Sequence, residues 1–248
     1  MKKVICDIDG VLLHTNQPIP GAAQFIQKLK EHNVPYILLT NYPSQTQADL
    51  HNRLAQAGIE VPADHFYTSA MATASFLEKQ DGRKAYVIGE GALTHELYRI
   101  GFTMTDINPD YVIVGETRAY NWEMIGKAAY FILENNARFI ATNPDVAGHR
   151  AYPACGALCA PIERITGKKP FYIGKPSSLI MRTALDQMGA HSEETVIIGD
   201  NMSTDILAGV QAGIETYLVL TGVTKEADLD KYSYQPGKIF NSLDEIEF

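Results

Sequence analysis

Cysteine is scarce in this sequence: three in 248 residues, at Cys6, Cys155 and Cys159. That is too few for a disulfide framework and fits a reducing compartment. Cys155 and Cys159 stand in "CGALC", a C-x-x-x-C spacing with no second pair. Zinc normally wants four ligands, so small buried thiols are the better reading. The seven histidines form no H-E-x-x-H pattern, and no G-x-S-x-G elbow supports a serine hydrolase. Long apolar runs are missing too. None approaches the roughly 20 residues of a membrane-spanning helix. Lys2 and Lys3 are basic, but Asp7 and Asp9 interrupt any signal-peptide core, so the chain is expected to be cytoplasmic. Positive charge is in deficit, with 21 Lys and Arg against 29 Asp and Glu for a formal charge of −8. That balance argues against nucleic-acid polymers and anionic membranes as partners.

What is present is a soluble profile, 46% apolar and 20% charged, in a chain long enough for one or two domains. Short apolar runs read as buried strands: "KVICDI", "PYILLT", "AYVIG", "YVIVG", "RFIAT", "FYIG", "TVIIG" and "TYLVL". Helical stretches lie between them, among them "AAQFIQKLKEH", "SQTQADLHNRLAQAG" and "SSLIMRTALDQMGA". The second opens with Ser44 and Gln47 at capping-box spacing and stops at Gly58. This alternation predicts an α/β architecture with mostly parallel sheets.

Four strands run into polar residues. "VIC" leads to Asp7 and Asp9, "YILL" to Thr40 and Asn41, "FYIG" to Lys175, and "VIIG" to Asp200 and Asn201. Ligands of open α/β sheets sit beyond the carboxyl ends of the strands, so four such ends are expected to converge. Two lie in the first third of the chain and two in the last. The middle, residues 79–172, therefore reads as an inserted α/β unit between two halves of one core, 1–78 and 173–248.

Asp7 and Asp9 share one side of a strand, and Asp200 adds a third carboxylate. Such a group repels itself unless a cation neutralises it, and Mg²⁺ suits a few carboxylates with substrate phosphate. Thr40, Asn41 and Lys175 offer hydroxyl, amide and ammonium donors for a phosphoryl group. Asn201, Met202, Ser203 and Thr204 precede the helical stretch "TDILAGVQAG", where backbone N–H groups favour an anion. A nucleophile, an acid/base, a metal and phosphate donors together describe phosphoryl transfer through an aspartyl phosphate.

"DIDGVL", "LLTN", "GKP" and "GDNMSTDI" resemble, in order, the four motifs of the haloacid dehalogenase superfamily of phosphatases. "LLTNYPSQT", "FYTSAMATA", "NPDVAGHRAYPACGALC" and "GDNMSTDILAG" are similar to the NagD-type ribonucleotide monophosphatases within it. The resemblance covers nearly the whole chain and weakens after Thr224. It implies a Rossmann-like core with a parallel sheet and an inserted α/β cap of the C2 type. It implies Asp7 as nucleophile and Asp9 as general acid, then base. Mg²⁺ would be held by the Asp7 carboxylate, the Asp9 backbone carbonyl and Asp200, with Asp205 supporting. Thr40, Asn41 and Lys175 would bind the phosphoryl group of a small phosphate monoester, expected to be a nucleoside 5′-monophosphate. A broad sugar-phosphate phosphatase is the alternative in the same class. A non-catalytic phosphate-ester binding module is the alternative in another class, and intact Asp7 and Asp9 argue against it.

Several features have plainer readings. Gly89 and Gly91 in "VIGEGAL" lack the third glycine of a nucleotide fingerprint, which Thr94 replaces, and read as a tight strand-to-helix turn. Asn143, Asp145 and Gly148 in "ATNPDVAGHR" read as turn chemistry, or as a polar loop in which Asn143 and Asp145 meet the leaving group. Trp122, the only tryptophan, reads as packing within a helix.

Overall fold

The computed structural model describes residues 2–148 and 151–247. His149 and Arg150 of the "NPDVAGHR" stretch therefore lie outside the described residues. Two compact units are present. The first takes the chain up to Thr40, Thr46–Tyr67, and everything from Lys175 on; the second takes Asn41–Gln45 and Thr68–Gly174.

The first unit opens with β1 (Lys3–Cys6), a short hairpin of β2 (Leu13–His14) and β3 (Gln17–Pro18), and α1 (Ala22–Glu31). β4 (Tyr36–Thr40), α2 (Gln47–Gln56) and β5 (Phe66–Thr68) follow. The second unit then runs through α3 (Ser69–Glu78), β6 (Lys84–Ile88), α4 (Gly91–Arg99), β7 (Thr103–Met104) and β8 (Tyr111–Val114). It continues with α5 (Trp122–Glu134), β9 (Arg138–Ala141), α6 (Cys155–Thr166) and β10 (Phe171–Tyr172). The first unit resumes with α7 (Ser178–Met188), β11 (Thr195–Gly199), α8 (Leu207–Ala212), β12 (Glu215–Val219) and β13 (Lys238–Phe240). Each of the eight apolar runs forms a strand.

The sheet of the first unit has the order β13-β12-β11-β1-β4-β5. Its central pairs are parallel, with Val4 beside both Val196 and Tyr36. The chain builds outward from β1 through β4 in one direction, then from β11 through β12 in the other. β1 and β11 therefore flank a switch point, where open α/β sheets leave a crevice at the carboxyl ends. Val4, Cys6, Phe25, Leu29, Leu38, Leu50, Val196 and Leu243 form one buried cluster around this sheet. The second unit has its own parallel sheet, β10-β9-β8-β6-β7. Its core joins Val112, Val114, Ile132 and Phe139 with Cys155 and Cys159. All three cysteines are free and buried, as small core residues. No helix among the described residues is long and apolar enough to cross a membrane.

Three local expectations shift. The second unit includes α3, N-terminal to residue 79, because Phe76 stacks on Phe171 at 5.4 Å between ring centroids. The cap of α2 is Thr46 rather than Ser44: Asp49 N–H donates to Thr46 Oγ1 (3.1 Å) and Thr46 N–H to Asp49 Oδ2 (2.9 Å). Ser44 Oγ donates instead to the Glu116 carbonyl. Trp122 does not pack. It is the first residue of α5, beyond the Asn121 cap, and 86% exposed.

Candidate active site

Asp7 follows β1, Thr40 ends β4 and Asp200 follows β11, so three neighbouring strands deliver polar groups at one sheet edge. Asp7 continues the parallel pairing by donating its N–H to the Ile198 carbonyl (2.9 Å). This fixes the Asp7 backbone beside β11. Thr40 and Asp200 are buried, at 4% and 2% exposure.

Lys175 lies among these groups. Its Nζ donates to Asp7 Oδ1 (2.7 Å) and Asp205 Oδ1 (2.6 Å), with the side chain 3% exposed. A buried ammonium is tolerated only when paired in this way. Burial pulls the Lys175 ammonium down, but Asp205 and Asp7 outweigh it and hold it above the ordinary lysine value. Asp7 is pushed well up, by burial first and then by Asp205 and Asp200, against the pull of Lys175. Asp200 is pushed up to about 7 by burial and by Asp205.

Asp7, Asp200 and Asp205 place carboxylate oxygens within 4.8 Å of one another. Three carboxylates against one Lys175 ammonium leave a formal excess of two negative charges, which matches a divalent cation. The two oxygens of Asp205 are both engaged, Oδ1 by Lys175 and Oδ2 by the Asn201 N–H (3.2 Å). Asp7 and Asp200, each with one oxygen taken by Lys175 or the Val223 N–H, are the carboxylates that could hold a metal. Asp200 is itself fixed by the Val223 N–H at 2.6 Å. A Cβ at Gly10 or Gly222 would collide with its carboxylate, so both backbones press on that one side chain. The donor set is hard oxygen throughout and fits a hard divalent ion.

Asp9 stands apart from the acidic cluster. The strand ends at Cys6, so the alternation that would align Asp9 with Asp7 does not continue. The Asp9 side chain is 49% exposed and pairs with Arg53 of α2 at 2.6 Å. Arg53 carries no motif signature, and only the fold brings it to Asp9.

The segment Asn201–Thr204 begins a π-helical turn, Met202–Ile206, leading into α8. Its amides are used internally. Met202 N–H donates to Thr224 Oγ1, Ser203 N–H to Asn201 Oδ1 and Thr204 N–H to the Asn201 carbonyl.

Asn41, next after Thr40, belongs to the second unit, where a polar cluster surrounds it. Its Nδ2 donates to Asp145 Oδ2 (3.0 Å). Its carbonyl accepts from Asn143 Nδ2 (2.9 Å) and Ser69 Oγ (2.5 Å). Asn143 is fully buried, and its Oδ1 accepts the Asp145 N–H. Asn143 and Asp145 are therefore joined to Asn41 through hydrogen bonds. Glu116, at the carboxyl end of β8, is a further acid here that the motifs did not mark. Burial, then the Asp145 charge, pushes its carboxyl up to about 7. Its one sequence signal is a charged residue directly after "YVIVG". The turn through Gly89 and Gly91 passes from β6 to α4, and Glu90 accepts the Arg118 N–H.

Comparison with known proteins places this geometry. The family described as haloacid dehalogenase-like hydrolase matches residues 4–103, and a second HAD-hydrolase-like family matches residues 172–246. The ribonucleotide monophosphatase NagD of Escherichia coli K12 is 64% identical over 247 residues, covering 100% of this chain and 98% of that protein. Its solved structure superposes with a TM-score of 0.97, covering 100% of this chain and 98% of that one. A dihydroxyacetone phosphatase of Corynebacterium glutamicum is 44% identical, over 98% of this chain and 89% of the relative. A thermostable NPPase of Geobacillus stearothermophilus has a TM-score of 0.92 at 36% identity, with full coverage of both chains. The order of the motifs, the parallel sheet with its acidic switch point and these similarities agree: the chain belongs to the haloacid dehalogenase-like hydrolases, as a phosphatase of the NagD type.

Proposed function

We propose that this enzyme is a Mg²⁺-dependent phosphatase that hydrolyses nucleoside 5′-monophosphates through an aspartyl phosphate on Asp7. The observation that carries the proposal is Lys175 Nζ, bound at once to Asp7 and Asp205 within the cluster that includes Asp200. A binding module needs donors for phosphate but no buried carboxylate held beside them. The name of the 64% identical relative supports a ribonucleotide as substrate.

Asp7 and Asp200 would hold a divalent ion, which would supply charge neutralisation for the phosphoryl oxygens. Thr40, the adjoining Asn41 and Lys175 orient the phosphoryl group and share its charge. An Asp7 carboxylate oxygen attacks phosphorus while the bond to the ester oxygen breaks. Asp9 gives a proton to that leaving oxygen. Water then attacks the phosphorus of the aspartyl phosphate and passes its proton to Asp9. The bond to Asp7 breaks, inorganic phosphate leaves, and the Asp7 carboxylate is restored. Lys175 holds Asp7 in one orientation through both steps.

In the second unit, the polar loops carrying Asn143, Asp145 and Glu116 select the leaving group. The Asn41–Asp145 hydrogen bond supports this assignment, since it ties those loops to the residue after Thr40. A second reading is a broad phosphatase for small sugar phosphates. The 44% identical relative named for dihydroxyacetone phosphate favours it.

Phosphate release across nucleoside monophosphates, sugar phosphates and an aryl phosphate decides between the two. Nucleotides turned over at higher kcat/KM than sugar phosphates support the first reading. The reverse order supports the second. EDTA is expected to abolish turnover and Mg²⁺ to restore it, with Ca²⁺ a poor substitute because its looser coordination misplaces the attack. Full activity in a verified metal-free preparation would overturn the metal assignment.

A further inference from the structure

Arg53 sits on α2, 44 residues along the chain from Asp9, and its side chain is 17% exposed. Its guanidinium reaches three residues. Nη2 donates to Asp9 Oδ1 (2.6 Å) and to the Thr15 carbonyl (2.5 Å). Nε reaches Asn16 Oδ1 (3.3 Å) and Nη1 approaches Asp9 Oδ2 (3.5 Å). Thr15 and Asn16 form the turn between β2 and β3. Thr15 has a φ of 62°, a left-handed conformation that β-branched residues avoid. The turn that follows Asp9 is therefore held in an uncommon shape with Arg53 on its carbonyl.

An exposed ion pair contributes little to stability, so stability does not account for this arrangement. Orientation does. The Asp9 side chain is half exposed, and among the described residues Arg53 is the side chain that donates to it. Without Arg53 the carboxyl is free to turn about its side-chain bonds. The planar fork of Arg fixes a carboxylate in a way the single ammonium of Lys does not.

We propose that Arg53 is a positioning residue for the reaction, clamping the Asp9 carboxyl and the β2–β3 turn in the geometry needed for proton transfer to the leaving oxygen. The inference rests on Asp9 acting as the general acid, and the experiment separates the two. Proton transfer matters for a ribose-type alkoxide and little for p-nitrophenolate. The kcat of Arg53→Ala is expected to fall about tenfold or more further on a nucleoside monophosphate than on p-nitrophenyl phosphate. KM should change little on either substrate. Arg53→Lys is expected to recover part of the loss, and Arg53→Gln little of it. Asp9→Asn serves as the reference and should show the same unequal loss, more strongly. Unequal loss for Asp9→Asn with equal proportional losses for all three Arg53 variants would overturn the role of Arg53 alone. Equal losses for Asp9→Asn would remove the acid assignment and the positioning role with it. Melting curves of the Arg53 variants identify any that fails to fold, and a merely structural role predicts losses that do not depend on the leaving group.

Discussion

Glu116 shows how a single buried carboxyl links burial to pH. Its pKa rises from 4.5 to about 7, through burial first and the neighbouring Asp145 second, while the Cys155 N–H and the Asn143 side chain pull the other way. The folded state thus holds a proton on Glu116 where the unfolded chain has released it. The group favours folding below pH 4.5, and this contribution is lost as pH rises through about 7. Glu116→Gln keeps a neutral side chain at every pH. The melting temperature of the variant minus that of the parent is expected to grow between pH 4.5 and about 7, then level off. Thermal melts across pH 4 to 8.5 check this, and a constant difference would show that the carboxyl is not desolvated. At this scale the sequence was legible where residues act in motifs. Thr40 ends a strand, and Asp7, Lys175 and Asp200 each come after one, so position along the chain marked them as candidates. Arg53 and Glu116 were not legible. Arg53 meets Asp9 across a separation of 44 residues, and a helical arginine in "LHNRLAQ" reads as a solvated face.

α2 illustrates the same limit for elements. Both Ser44-x-x-Gln47 and Thr46-x-x-Asp49 have capping spacing, and local pattern alone does not choose between them. The tertiary fold chooses, because Ser44 belongs with the segment Asn41–Gln45 and its hydroxyl goes to Glu116. Thr46 then satisfies the first turn of α2 in a reciprocal pair with Asp49. The Thr46 contacts also hold the Asp49 carboxyl below its ordinary range. Thr46→Ala is expected to lower unfolding free energy by about 1 kcal/mol, measured by urea denaturation with an unchanged m-value. Ser44→Ala should cost less, having no cap to lose. Equal losses would argue against the Thr46 cap. Strands were easier to read than caps, because each apolar run had one buried place in a parallel sheet. The hairpin of β2 and β3 was missed. Each strand has only two residues, too few to show an alternating pattern.

At the scale of the whole molecule, the chain forms two compact units. The first unit carries the carboxylates, Lys175 and the switch point of the sheet, which is where the proposed phosphoryl chemistry is assigned. The second unit has its own sheet and core. An inserted α/β part was an expectation drawn from the order of the motifs. The grouping of residues 41–45 and α3 with the second unit was not legible, since it depends on contacts such as Asn41–Asp145 and Phe76–Phe171. Asp145 provides the test of this separation. Its carboxylate accepts from Asn41, and its backbone is held by Asn143. If its loop selects the leaving group, Asp145→Ala changes the transition-state energy of one substrate relative to another. The kcat/KM ratio between two nucleoside monophosphates, or between a nucleotide and a sugar phosphate, should then shift by about 1–3 kcal/mol in equivalent free energy, or roughly 5- to 150-fold. Turnover of p-nitrophenyl phosphate should change much less, because that leaving group offers no hydroxyl for the loop to recognise. If Asp145 serves only to hold Asn41, all substrates should slow by one common factor, and the ratios should stay as they are in the parent enzyme. Steady-state kinetics on three substrates with both proteins at saturating Mg²⁺ distinguish these outcomes. An unchanged ratio would place substrate selection elsewhere in the chain and leave Asp145 a supporting role beside Asn41.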